Sequence, residues 1–318
     1  MNSKFYIELA LKKLGTSQKE LAKELGVSPT QVTKWKKGDS MSLEMEERFR
    51  SLTGIGDLDP SVVATAGSVE QALKWDRLVQ FLAQLAVESA ETGYDTVPLI
   101  DDLGLLTVSV FECFNSLGIR IPEKLPPEID FDFDDYSPES EEEYEAVLRE
   151  NAYSSTIYAA FLGLNDLYGF YAAYISELET NEKITLMGTE AENIGHCLLQ
   201  LAFAKLNLDP AFANEAKQFQ YQTFRDYEHW INVLKSEAWQ ASVPVRIELM
   251  QLVRGDNDEI GNAAERESLG FSSDQIHPDV YMNELLVGMR VIHQVLPAIL
   301  NKLGLDDFEL DTDELKPR

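Results

Sequence analysis

Apolar residues recur along this chain at spacings of three and four, and no segment alternates convincingly at a spacing of two. A period near 3.6 belongs to helices that bury one face, so the fold is expected to be all-α, without a sheet. In the larger, C-terminal part the pattern predicts a helix over Ser68 to Glu91, carrying Trp75, Leu78, Leu82 and Leu85 and opening on a Ser68…Gln71 capping box. A second runs from Leu103 to Leu117 and ends at Gly118. Tyr144 to Leu178 reads as a long aromatic helix broken near Gly163 to Gly169. Thr189 to Leu206, Glu215 to Gln240 and Tyr281 to Leu303 follow. Gly54 to Gly67, with few large side chains, reads as a linker.

Two of these helices have a sharper repeat. Phe224, Tyr227, Ile231, Leu234 and Ala238 step by alternating threes and fours, as do Met282, Leu285, Met289, Ile292, Leu296, Ile299 and Leu303. Such seams can join subunits as a coiled coil. Leu286, Val295 and Leu300 widen the second stripe, and Pro297 would bend a long straight coil. Wide stripes belong to globular helices, so both seams are expected to face a core within the chain.

The segment Gln18 to Trp35, QKELAKELGVSPTQVTKW, has a tighter design. Two short helices crossing over a very small core need apolar side chains where Leu21, Leu25, Val27, Val32 and Trp35 stand. Ala22 falls where the second helix leaves room only for a methyl group, and Gly26 at the turn, where positive φ is needed. Ser17 with Glu20 forms a capping box, Ser28-Pro29 is a second helix start, Gly38 a stop, and Ser42 a further cap.

These residues, with Leu9 and Leu14 before them, resemble the lambda-repressor-like (Cro/CI-type) helix-turn-helix domains over about the first 55 residues. The resemblance implies helices over Ser3 to Leu14, Ser17 to Leu25, Ser28 or Pro29 to Lys37, and Ser42 to Leu52. The third would be a recognition helix laid into the major groove of double-stranded DNA. It also implies that Gln18 holds a phosphate and braces that helix. Ser28, Pro29, Thr30 and Lys34 would face the bases with Gln31 and Thr33 beside them, and Lys36 and Lys37 would contact phosphates. Proline cannot hydrogen-bond a base edge, so direct readout would rest on Thr30, Gln31 and Lys34. The fifth helix usual in the family is not evident in Gly54 to Gly67. The expected organisation is therefore a helix-turn-helix domain at 1–56, a linker at 57–67, a helical-bundle domain at 68–305 and an acidic tail at 306–318.

Charge sharpens this division. The 318 residues carry a formal charge of −28, which would argue against nucleic acid if it were uniform. Residues 1–38, however, hold eight lysines against three glutamates, and the 258 residues after position 60 hold 17 basic against 46 acidic side chains. A duplex would repel the larger part, so DNA-facing chemistry is confined to the N-terminus. Glu123 to Glu145 alone holds eleven acids and one lysine among several prolines. It reads as a solvated loop, unable to order itself unaided, or as a strip that competes with DNA for the basic surface.

Other chemistry is not legible. His196, His229, His277 and His293 are scattered, and the Glu192/His196 and Asp226/His229 spacings lack the further ligands a metal site requires. His196 and Cys197 are neighbours and point about 100° apart on a helix, poor geometry for a base and its nucleophile. There is no phosphate-cradling glycine loop, GxSxG or HExxH. No catalytic residue, cofactor or metal is expected, and no enzyme. Cys113 and Cys197 lack CxxC spacing, no signal-peptide pattern opens the sequence, and no apolar run approaches the roughly 20 residues that span a bilayer. The expectation is a cytoplasmic, acidic, homodimeric transcription regulator, a repressor by operator occupancy. Its helical domain would dimerise and could answer to a protein, peptide or small-molecule effector. The alternatives are a peptide-responsive regulator or a helical effector or adaptor whose N-terminal unit serves targeting or autoregulation.

Overall fold

In a computed structural model the described residues are 3–101, 104–131, 141–243, 245, 247–270 and 282–304, and every regular element among them is helical. The N-terminal unit contains α1 (Ser3–Leu14), α2 (Gln18–Leu25), α3 (Pro29–Lys36), α4 (Leu43–Thr53) and α5 (Pro60–Ala66). Then come α6 (Val69–Glu88), α7 (Val97–Ile100), α8 (Leu106–Ser116), α9 (Glu141–Glu150), α10 (Ala152–Tyr174) and α11 (Ser176–Glu179). The chain continues through α12 (Asn193–His196), α13 (Leu198–Ala204), α14 (Ala216–Gln240), α15 (Gln251–Arg254), α16 (Asn257–Ser268) and α17 (Met282–Leu303).

The expected linker is not a free tether. Asp59 caps α5 by accepting from the Ser61 N–H (2.7 Å), and Pro60 starts the helix. Val62, Val63 and Ala66 are buried where α5 packs on α1, α6 and α8. Seven residues with two adjacent valines are too few, and too poor in helix propensity, to signal a helix on their own; burial makes it. The Lys12 ammonium donates to the Gly67 carbonyl (3.1 Å), a second tie across the same junction.

Helix α10 lies at the centre of the larger part, packed by α6, α13 and α16. Ile157, Ala160, Phe161, Leu164, Leu167 and Phe170 bury it on several sides, as an all-round apolar helix requires. Buried Asn165 is satisfied: its amide donates to the Ala86 carbonyl (2.7 Å) and its oxygen accepts from Thr96 Oγ1 (2.7 Å). The break expected near Gly163 to Gly169 does not occur. The Tyr144 to Leu178 segment is divided instead at Asn151, whose side chain caps α10, and again at Ile175. The two glycines serve close approach: a Cβ at Gly163 would lie 2.5 Å from Asn257 Nδ2, and one at Gly169 would lie 2.6 Å from Thr92 Cβ.

This packing makes a prediction. Although alanine is the better helix former, Gly169→Ala should destabilise the protein by about 1–3 kcal/mol through overpacking. Thr92→Gly in the same chain should recover most of that loss in urea unfolding. A neutral or stabilising Gly169→Ala would show that the 88–96 loop yields freely.

Other expectations are also corrected. Ser68 accepts from the Gln71 N–H (3.2 Å), but the capping box is only half made, because the Gln71 side-chain oxygen accepts from the Leu125 N–H instead (2.7 Å). Thr189 to Leu206 is a 3₁₀ turn followed by α12 and α13 rather than one helix. The described beginning of the acidic segment, 123–131, is docked rather than solvated. Leu125 and Ile129 are buried, and Asp130 pairs with Lys74 of α6 (2.5 Å). Apolar residues spaced among the acids give this stretch a core to join, which net charge alone concealed. Residues 132–140 and the tail at 306–318 lie outside the described residues.

The seam of α14 faces the core, with Tyr227, Ile231, Leu234 and Ala238 buried. The seam of α17 does not. Its residues Met289, Ile292, Leu296, Ile299 and Leu303 are between 42 % and 66 % exposed, and among the described residues no α17 side chain belongs to the hydrophobic core. A wide stripe calls for a covering partner, and among the described residues α17 has the stripe without one.

No described helix is long and apolar enough to cross a membrane. Among the described residues no group of three or more His, Cys, Asp and Glu side chains could hold a metal ion. His229 pairs with Glu190 (2.8 Å), and Asp226 with Arg225 (3.1 Å).

Candidate nucleic-acid interface

Helices α2 and α3 are short because the sequence starts and stops them firmly. At the start of α2 the capping box is reciprocal: the Glu20 N–H donates to Ser17 Oγ (3.3 Å) and the Ser17 N–H donates to the Glu20 carboxylate (2.9 Å). Those bonds from the Ser17 backbone and hydroxyl hold the Glu20 carboxyl below its ordinary range. Gly26 ends the helix at φ 71°, in the left-handed region that a Cβ disfavours. The following Val27 N–H closes back on the Ala22 carbonyl (2.9 Å). One residue later Ser28 caps α3, accepting from the Gln31 N–H (3.1 Å), with Pro29 at the first helical position.

The crossing is fixed by a small core. Leu21, Ala22, Leu25, Val32 and Trp35 are buried against Tyr6, Ile7 and Phe49, while Val27 is half-buried beside them. Trp35 meets Phe49 edge-on, ring centroids 6.2 Å apart at 86°. Arg48 of α4 donates to the Leu25 carbonyl (3.0 Å) at the end of α2. Arg50 donates to the carbonyls of Gly56 (2.7 Å) and Leu58 (2.9 Å). These arginines therefore serve the scaffold.

With Val32 and Trp35 inward, the turn of about 100° per residue sets the rest of α3. Thr30, Thr33, Lys34 and Lys37 share the outward face and are all exposed. Half-exposed Gln31 lies on one flank; exposed Lys36 and Pro29 lie towards the other. Gln18 is half-buried at the first position of α2. Hydroxyl commitments separate the candidates further. Ser28 Oγ is engaged as the cap, and Thr33 Oγ1 donates to the Pro29 carbonyl (3.0 Å). Thr30 and Lys34 have no side-chain bond among the described residues, so their donors are open.

The basic charge is similarly sorted. Lys12 and Lys13 donate to the carbonyls of Gly67 and Thr53, and Lys4 sits 3.9 Å from Glu8. Lys34, Lys36 and Lys37 have no such internal partner among the described residues. Exposed Lys19, next to Gln18 on the first turn of α2, is a further cation that the motif positions did not select; its signal in the sequence is adjacency alone. A short helix with open donors on its outer face and unpaired lysines along it can neutralise phosphates and reach base edges.

A family model described as helix-turn-helix matches residues 7–45. No curated protein and no solved structure matches the chain significantly. The chain thus carries an N-terminal DNA-binding helix-turn-helix domain of the Cro/CI type, followed by a larger helical domain that the match does not cover.

Proposed function

We propose that this protein is a sequence-specific transcriptional repressor that occupies its operator as a homodimer. The observation that carries the reading is the outward face of α3, where Thr30, Lys34 and Lys37 stand exposed on the part of the chain with net positive charge. In this reading Lys34, Thr30 and Gln31 read base edges, with lysine matched to guanine O6 and N7. Lys36 and Lys37 grip phosphates, and Gln18 holds a phosphate at the start of α2. Ser28, Pro29 and Thr33 line the contact, shaping the approach more than reading it, since their hydrogen-bonding groups are engaged or absent. One such helix reads too few base pairs to find a site in a genome, so a pair on a two-fold site is the working unit.

Sequencing the DNA retained by the protein from a random pool tests this directly. The expected result is an inverted repeat whose half-sites lie about one helical turn apart, roughly 10 base pairs centre to centre, or a multiple of that. A pool that shows no enrichment overturns sequence-specific operator binding, and enrichment of a lone half-site overturns the dimeric mode.

The exposed apolar seam of α17 would also suit a helical adaptor that recruits another protein. A stoichiometric foreign partner co-purifying with a monomeric chain would favour that second reading over the repressor.

A further inference from the structure

An apolar stripe left open over most of a 22-residue helix is unusual for a surface in water. We propose that the stripe is covered by α17 of a second copy of the chain, packed antiparallel to form the dimer contact. The proposal rests on the reading above for the dimer's purpose, but names the surface that makes it.

Three observations select this occupant. The first is register. The seam steps by threes and fours throughout, the spacing at which two helices interlock side chain into gap. Run antiparallel about residue 294, Ile292 of one copy faces Leu296 of the other and Met289 faces Ile299. Each contact then pairs the two kinds of seam position, so the stripe is complementary to itself.

The second is charge. Between Met282 and Leu303 the charged residues are Glu284, Arg290 and Lys302, a net +1, whereas the chain as a whole carries −28. Two copies meeting through any strongly acidic face would repel one another. Two copies meeting through α17 would not.

The third is how α17 is held. The Arg290 guanidinium stacks over the Trp239 ring of α14, 4.1 Å from its centroid. Arg290 is one position past Met289 and about 100° round the helix from it, so the attachment uses the side away from the seam. Pro297 stands in the same relation to Leu296. Its missing N–H and any bend it causes fall outside the contact line.

Sedimentation velocity of the full chain, with operator-binding titrations, tests this. The wild-type chain should be a dimer at micromolar concentration. Ile292→Glu with Leu296→Glu should weaken self-association at least 100-fold. The helical circular dichroism should persist, because both positions are exposed in the single chain. Affinity for a single half-site should not change, while affinity for the paired site falls by a similar factor. Asn301→Glu, outside the seam, should leave the dimer intact. A double variant that stays dimeric overturns the α17 contact and leaves the repressor reading standing; a monomeric wild type overturns both. Orientation is tested by mixing Met289→Cys with Ile299→Cys chains under oxidation. Crosslinks between unlike chains are expected, and crosslinks of Met289→Cys to itself would overturn the antiparallel arrangement.

Discussion

Trp35→Ala should abolish DNA binding for every sequence alike. Trp35 is 5 % exposed and packs edge-on to Phe49, which in turn lies 5.8 Å from Tyr6, so the indole holds α3 to α4 and, through Phe49, to α1. Truncating a buried tryptophan costs about 3–5 kcal/mol, from lost transfer energy and the cavity left behind. A unit of some 55 residues has little stability to spare, because so small a core contributes only several kcal/mol net. The recognition helix would therefore lose its footing rather than one contact. Fluorescence anisotropy against operator and random DNA, with urea unfolding alongside, measures both effects. Trp35→Phe should restore most of the binding, since an aromatic ring in that place keeps the contact with Phe49. Binding by Trp35→Ala within tenfold of wild type would show that α3 is held by other means.

The same residues explain why this part of the molecule was legible in its sequence. Caps at Ser17, Ser28 and Ser42, the positive-φ glycine at 26, and the small Ala22 each impose a local demand that few residue types meet. Such demands write themselves into the sequence one position at a time. Helix α5 has no comparable signature. Val62 and Val63 are helical because α1, α6 and α8 surround them, a cause that lies in residues distant along the chain. Gly163 and Gly169 misled for a related reason. Glycine signals a break when it supplies backbone freedom, but here it supplies space, and Asn257 and Thr92 occupy that space from elsewhere. The stripe on α17 shows a third kind of ambiguity: periodicity declares that a face will be covered but does not say whether by the same chain.

The resemblance implies which residues of α3 meet DNA, but not how far each of them is free to do so. Ser28 is claimed in the sequence both by the helix start and by the DNA face, and its bond from the Gln31 N–H gives it to the cap; Thr33 looks like a free hydroxyl, and only the position of the Pro29 carbonyl shows it to be engaged. Likewise the excess of lysine in residues 1–38 overstates what DNA can meet, because Lys12 and Lys13 are turned to carbonyls at the junction with the helical domain.

That sorting sets the second large effect. Lys34→Ala should change which sequence is preferred, whereas Lys36→Ala and Lys37→Ala should weaken all sequences together. A good two-pronged contact between a side chain and a base is worth about 1–3 kcal/mol of discrimination. In a two-fold complex the lost contact counts once in each half-site, so the preference for the intended operator over a variant changed at both guanines should fall by roughly 2–6 kcal/mol. A phosphate contact leaves a different mark. Removing Lys36 or Lys37 releases fewer counterions, and the slope of log affinity against log salt should drop by about one per site. Salt-dependent titrations of the three variants on operator, substituted operator and random DNA separate the two behaviours. If Lys34→Ala keeps the wild-type order of preference and only lowers the salt slope, Lys34 is another phosphate contact. Specificity would then have to come from Thr30 and Gln31, or from the shape of the DNA.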